Sequence, residues 1–160
     1  MNEMWRARRF CYCTSLQIGC TIIAFFTLCL CAAHLVEFFR MRYITDDDDD
    51  AFSDWANLLW GALHLVAAMC LSYSVLVQRG CTPILVYIVT ETLYLIYVII
   101  YASVSCAQGI NIYANHSLPY CISYWVFVFL TCVITIYFLY IITSYYFLRR
   151  EQRKTENTQV

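Results

Sequence analysis

The chain is poor in charged residues and in glycine. Charged side chains make up 13% of its 160 residues, about half of the fraction that is usual in soluble domains, and this excludes an ordinary soluble fold. Only four glycines are present, and none forms a glycine-rich phosphate loop. No acid and base pair lies in a water-accessible segment. We therefore expect a protein that is not an enzyme and that needs no cofactor or metal.

Apolar residues are abundant instead, at 62% of the chain with a mean hydropathy of +0.62. About 20 apolar residues are needed to cross the roughly 30 Å hydrocarbon layer as a helix, because lipid offers no partner to an unpaired backbone amide. Four stretches meet this length, at 16–39, 58–77, 83–104 and 121–148. The sequence predicts an all-α, polytopic membrane protein, a single four-helix transmembrane bundle with tails at 1–15 and 149–160.

The basic residues are segregated along the chain. Eight of the ten lie in the two tails or in the gap before the third span, and two lie in the first gap. Lys and Arg are retained on the cytosolic side of membranes, so we expect both tails in the cytosol and the first and third gaps outside. Because the basic residues are confined to the membrane flanks, we expect the lipid bilayer and not nucleic acid as a partner.

The third gap carries two candidate modification sites. Asn115 opens an Asn-His-Ser glycosylation sequence on the side that the charge pattern places outside. Cys106 and Cys121 bracket the same gap on the oxidising side of the membrane. They are candidates for a disulfide, and the alternative is two free thiols, since only the separation of their Cα atoms decides between them.

Three other cysteines lie at the predicted cytosolic boundary. Cys11 and Cys13 follow a cluster of arginines, and Cys81 precedes the third span. Juxtamembrane cysteines beside basic residues are candidates for palmitoylation, and unmodified thiols are the alternative.

Glu91 is the clearest ionisable residue inside a predicted span. A charge at that depth costs at least about 2.5 kcal/mol, so Glu91 is expected to face the bundle and to be protonated or hydrogen-bonded. Ser72, Ser74 and Tyr87 are candidate partners. A structural role in helix packing is the first interpretation, and a proton or ion relay is the second.

A further polar group is expected near the outer end of the first two spans. His34 and Glu37 lie one turn apart in the first span, and His64 lies about two turns into the second. We expect these three side chains to form a polar cluster with a structural role, since no nucleophile or metal-ligand set accompanies them.

The chain ends in Thr158, Gln159 and Val160. PDZ domains bind a free carboxylate, a final apolar side chain and a hydroxyl two positions before it. These residues are therefore a candidate ligand for a cytosolic PDZ scaffold.

Several features together resemble a known group of membrane proteins. The basic start, the Cys11-Tyr12-Cys13 cluster, the Leu16-Gln-Ile-Gly19 entry to the first span and Glu91 in the third are similar to the lysosome-associated protein transmembrane (LAPTM) family and to the related insect tetraspans that include the Pasiflora proteins. The LAPTM Pro-Tyr sorting motifs are missing, which argues against lysosomal delivery through a ubiquitin ligase. The short length and the bare tail favour the insect group.

This resemblance implies a plasma-membrane component of septate junctions, at the lateral border of epithelial or glial cells. It implies a role in the paracellular barrier, with other septate-junction membrane proteins, and copies of the same chain, as partners. The alternative is a sorting or transport adaptor of the LAPTM type in the membrane of endosomes or lysosomes.

Overall fold

The computed structural model describes residues 15–44, 51–77, 81–109 and 111–158, and they are helical with no strand among them. The helices are α1 (Leu16–Ile44), α2 (Ala51–Val77), α3 (Thr82–Ala107), α4 (Ile112–His116) and α5 (Leu118–Thr158). Four of them contain segments long and apolar enough to cross a membrane, at Leu16–Arg40, Trp55–Val77, Thr82–Ala107 and Leu118–Thr155. The predicted all-α fold with four potential spans is confirmed.

The helices extend beyond the predicted apolar stretches. α2 begins at Ala51 where the hydropathy pattern began at 58, and α5 continues to Thr158, well past 148. Hydropathy marks only the part of a helix that suits hydrocarbon, whereas a helix continues through polar residues of good helix propensity until a breaker stops it. The last ten helical residues of α5 contain neither glycine nor proline.

The long helices alternate in direction along the chain. α1 packs against α2 and α5, and α3 packs against the same two helices, so the four form a closed ring. We call the end where α1 and α3 begin and α2 and α5 finish the lower end of the bundle, and the opposite end, which carries α4, the upper end.

The lower half holds the apolar core of the bundle. Its buried side chains come from all four long helices, and we call them the lower core: Leu16, Cys20, Ile23, Ala24, Ala67, Leu71, Val75, Ile84, Tyr87, Ile141, Ile142 and Tyr145. Small residues among them allow the backbones of α1 and α2 to approach closely, which is how helices associate in a medium as apolar as their own side chains.

The upper end is closed by a turn and by the short helix α4, in a segment that hydropathy marks only as a gap between spans. Gly109 ends the turn after α3 with a φ of 69°, a left-handed conformation that glycine adopts without strain. Asn111 then caps α4, because its side-chain oxygen accepts a 2.9 Å hydrogen bond from the amide of Ala114. The backbone N–H of Asn111 also donates to the carbonyl of Ser105, and this bond connects α4 to α3.

Candidate functional site

A histidine and a glutamate meet in the middle of the bundle. His64 on α2 and Glu91 on α3 each lie nine positions after the first residue of their spans. The two helices run in opposite directions, so counted from the lower end His64 lies 13 residues from Val77 and Glu91 lies nine residues from Thr82. Both positions fall near mid-span, and the side chains converge. Nε2 of His64 lies 3.7 Å from Oε1 of Glu91, and the two side chains are 0% and 4% exposed.

The backbone fixes the tautomer of His64. Its Nδ1 lies 2.9 Å from the carbonyl oxygen of Trp60, one turn earlier on α2. A carbonyl oxygen only accepts, so Nδ1 carries the hydrogen and donates it. Nε2 is therefore the atom that faces Glu91. Among the described residues, neither Nε2 of His64 nor Oε1 of Glu91 has a hydrogen-bond partner.

One proton suits the space between these two atoms. With the proton on Glu91, the carboxyl O–H points to the lone pair of Nε2, and with the proton on His64, the same line joins an imidazolium to a carboxylate. Both forms have zero net charge. The first creates no separated charges, and removing two charges from water is costly even when they attract each other.

His34 lies beside this pair on α1. Its Nδ1 is 3.3 Å from Oδ1 of Asn57, and its Nε2 is 3.3 Å from the Tyr94 hydroxyl. The Asn57 oxygen accepts, so Nδ1 donates to it and Nε2 of the neutral ring accepts from Tyr94. The His34 ring also stacks on the His64 ring, with centroids 5.3 Å apart and planes 9° apart.

Tyr94 joins the two histidines. Its ring meets the ring of His64 edge to face at a centroid distance of 4.5 Å, while its hydroxyl binds His34. We call His34, Asn57, His64, Glu91 and Tyr94 the polar cluster. It connects α1, α2 and α3 in the upper half of the bundle.

Gly61 explains how α1 comes close enough to contribute His34. A Cβ atom at this position would lie 3.4 Å from Cδ2 of Leu35 and 3.5 Å from Cβ of His34, which is already van der Waals contact. Any larger side chain on α2 would push α1 away. The stacking of the two histidines therefore depends on a glycine one turn before His64.

A second cross-helix contact lies on the lower side of the polar cluster. The Thr27 hydroxyl is 3.1 Å from that of Tyr87, and both are buried. Thr27 donates its own hydrogen to the carbonyl of Ile23 at 3.0 Å, so it accepts from Tyr87. Tyr87 in turn lies one turn before Glu91 on α3.

The expected cluster of His34, Glu37 and His64 forms only in part. His34 and His64 come together as predicted, and Glu37 forms a partly exposed ion pair with Arg40 at 3.5 Å. His64, and not Ser72 or Ser74, faces Glu91. Both residues lie near mid-span in two helices that are consecutive in the chain and antiparallel, and this was the signal that could have revealed the pairing.

The cysteine predictions stay predictions. Cys106 near the end of α3 and Cys121 near the start of α5 carry partly exposed free thiols at the upper end. Cys81 is a partly exposed free thiol just before α3, at the lower end. Cys11 and Cys13 lie outside the described residues.

The remaining candidate sites lie at opposite ends of the bundle. Asn115 is exposed on α4 and its amide donates to the carbonyl of Gly109, so its glycosylation stays a prediction. Thr158 is the last residue of α5, and Gln159 and Val160 lie outside the described residues. A PDZ domain binds an extended strand, so such binding would require the end of α5 to unwind.

Within residues 15–44, 51–77, 81–109 and 111–158, no three His, Cys, Asp or Glu side chains are grouped so that they could hold a metal ion. The fold and the polar cluster together define an all-α protein with four helices able to span a membrane and an acid–base pair at its centre. No family model matches the chain, and no curated protein and no solved structure matches it.

Proposed function

We propose that this chain is a non-enzymatic four-span component of epithelial or glial septate junctions. In this role it lies in the lateral plasma membrane, assembles within the bilayer with other junction proteins and with copies of itself, and supports the paracellular barrier. The Leu16-Gln-Ile-Gly19 entry to the first span and Glu91 in the third resemble features of the insect tetraspans, and this resemblance supports the assignment to septate junctions.

The outward face of α5 is the structural observation that supports the proposal of lateral assembly. In its upper part only Val128 and Thr135 are buried, and a wide arc of large apolar side chains points away from the bundle. This arc, which we call the α5 face, consists of Trp125, Val126, Phe127, Phe129, Leu130, Val133, Ile134, Ile136 and Tyr137. Aromatic side chains provide large contact areas, so the α5 face suits packing against a neighbouring membrane helix as well as lipid.

The interior also suits an assembly protein. Thr27 pairs with Tyr87, His34 with Tyr94 and His64 with Glu91, and each pair joins two helices. Such contacts hold the helices in register, which is what a scaffold requires.

Orientation is part of the proposal. The distribution of Lys and Arg favours an orientation with the lower end in the cytosol and the upper end outside. An epitope tag after Val160 should stain only permeabilised cells, and a tag beside Asn115 should stain intact ones. Staining of intact cells through the tag after Val160 would overturn this orientation.

The barrier role is tested by removing the protein from a polarised epithelium. Small tracers should then leak between cells, and other septate-junction proteins should disperse from the lateral membrane. An intact barrier, with the other septate-junction proteins still at the lateral membrane, would contradict the proposal.

The α5 face is tested separately. Replacing Phe127 and Phe129 by alanine should reduce junctional retention without reducing helix content, because both side chains point outward. Phe25→Ala is the matched control, since Phe25 is equally exposed on α1. Equal retention of the two variants would exclude the α5 face as the assembly surface.

An adaptor of the LAPTM type on endosomes or lysosomes is the second candidate. One observation favours it: a cleft of about 260 Å³ opens at the lower end beside the polar extension of α5 and is lined in part by Gln17, Arg149 and Gln152. A cytosolic cleft of this kind could receive a sorting partner. A tagged chain found only on acidic endosomes, together with an intact barrier in its absence, would support this candidate.

A further inference from the structure

The polar cluster contains two buried atoms that face each other without a hydrogen-bond partner in the described part of the chain, Nε2 of His64 and Oε1 of Glu91. Their 3.7 Å separation exceeds a hydrogen bond, but a small side-chain rotation would close it. Since Nδ1 of His64 already donates to Trp60, the pair accommodates one proton between Nε2 and Oε1.

We propose that His64 and Glu91 form a proton-binding site inside the membrane, which exchanges its proton with water at the upper end through Tyr94 and His34. The site is independent of the junction role and goes beyond it. In the resting form Glu91 is a neutral carboxylic acid that donates to Nε2 of a neutral His64.

The route to the upper end consists of groups that both accept and donate. Tyr94 lies one turn after Glu91 on α3 and packs its ring on His64. Its hydroxyl reaches Nε2 of His34, whose Nδ1 reaches Asn57. One turn above His34, the partly exposed pair of Glu37 and Arg40 marks the polar boundary of α1.

Proton transfer outward along this route leaves the proton counts of Tyr94 and His34 unchanged, while the His64–Glu91 pair loses one proton, which water gains, and Glu91 is a carboxylate until a proton returns. Tyr94 takes the proton of the site as it passes its own hydroxyl proton to Nε2 of His34, and His34 releases its Nδ1 proton to water near Asn57. A proton entering from water follows the reverse sequence. Successive passages in the two directions exchange the bound proton for one from solvent, with no separate co-reactant.

The lower direction is closed. Tyr87 and Thr27 are the next hydroxyls below Glu91, and the Thr27 hydrogen is committed to the carbonyl of Ile23. Beneath them Leu71, Ile84 and Ile142 are fully buried in the lower core. This mainly apolar layer offers few acceptors for a proton, so we expect exchange with the upper end only.

The surroundings of the pair contribute few other titratable groups. His34 faces it from α1, Tyr87 and Tyr94 face it from α3, and Cys132 of α5 lies near Tyr94. None of these neighbours is a carboxylate or a lysine or arginine side chain. The proton on the pair is therefore governed mainly by the two partners themselves.

Infrared spectroscopy of the full chain in lipid nanodiscs at neutral pH tests the site. Exposed carboxylates are ionised there, so a carbonyl stretch of a protonated carboxyl reports a buried acid. We expect this band in the unmodified chain and its loss in Glu91→Gln. ¹⁵N spectra should show His64 as a neutral ring protonated at Nδ1. A spectrum that Glu91→Gln leaves unchanged would overturn the site.

Transfer into D₂O tests the route. The carboxyl band should shift as the proton exchanges, and Tyr94→Phe, which removes one hydroxyl, should slow the shift by about tenfold, as expected when the barrier rises by the energy of one hydrogen bond. Tyr140→Phe is the control, since Tyr140 is exposed on α5.

A second variant interrupts the same route and can be used if Tyr94→Phe lowers helix content. His34→Asn keeps a donor for Asn57 but has no second ring nitrogen to receive a proton from Tyr94, and it should slow exchange as well. Exchange at the unmodified rate in the folded variants would exclude the route. A band that never shifts in the unmodified chain would exclude exchange altogether.

Discussion

The two halves of the bundle hold the same helices together in different ways. The lower half packs apolar and small side chains from all four long helices, with Cys20, Ala67 and Leu71 fully buried. The upper half joins α1, α2 and α3 through the polar cluster, while α5 contributes mainly an outward apolar face. Packing in the lower half depends on how well the side chains fit together. In the upper half it also depends on which nitrogen and oxygen atoms of the polar cluster carry hydrogens.

This difference gives the two halves different requirements for folding and for function. Apolar contacts have no preferred direction, so the lower core requires side chains that fit together but no matching of donors to acceptors. Hydrogen bonds among buried groups require each donor to meet an acceptor, and an unmatched group costs about 1–3 kcal/mol. The upper half is therefore the more demanding part to build and the part where a functional group can be held.

The largest effect is expected from placing a positive charge at the position of Glu91 in the middle of the bundle. Glu91→Lys places three donors where His64 offers Nε2 as an acceptor, and it adds a buried charge that costs about 2.5–3.5 kcal/mol on insertion scales. We expect the variant to lose most of its surface expression. Glu91→Gln, whose amide N–H can still donate to Nε2, is the control and should reach the surface normally.

Opening the lower core should have the next largest effect. Leu71→Ala removes a fully buried side chain and should destabilise the bundle by about 2 kcal/mol or more. Leu76→Ala on the same helix, where the side chain is 81% exposed, should be nearly neutral. Thermal unfolding in detergent measures both, and equal losses would mean that the lower core does not hold the bundle together.

Pushing α1 away from α2 should disturb the upper half specifically. Gly61→Val adds methyl groups beyond a Cβ that already touches Leu35 and His34, and overpacking of this kind costs about 1–3 kcal/mol. Gly61→Ala should be tolerated. The Nδ1 and Nε2 resonances of His34 should move in the valine variant only, and similar shifts in both variants would argue against the close approach.

The Thr27 and Tyr87 contact should contribute less. A double-mutant cycle with Thr27→Val and Tyr87→Phe measures it, and hydrogen bonds between membrane helices are typically worth about 0.6–1.7 kcal/mol. A coupling energy near zero would show that the 3.1 Å contact does not stabilise the boundary between the two halves.

The smallest effect is a difference in thiol reactivity. If the predicted Cys106–Cys121 bridge forms, an impermeant maleimide should label both residues only after reduction. Cys20, which is fully buried in the lower core, should remain unlabelled with or without reductant. Labelling of both upper thiols without reductant would exclude the bridge.

Much of this architecture could be predicted from the sequence because the signals are local. Length and hydropathy identified the four spans, since the thickness of the bilayer sets the number of apolar residues a helix needs. The cost of burying a charge singled out Glu91. Helix ends were less predictable, because hydropathy changes before helix propensity does, and α4 was missed because five residues carry no periodic pattern.

The sequence by itself therefore determined that the chain is helical, that four segments can cross a membrane and that Glu91 requires a partner. Only the tertiary structure decided that the partner is His64, that Trp60 fixes its tautomer and that Gly61 admits His34. The physical reason is that hydropathy depends on residues within one helix, whereas the meeting of two side chains depends on the register and rotation of neighbouring helices. Register and rotation are set by close packing between the helices, and no single span encodes them.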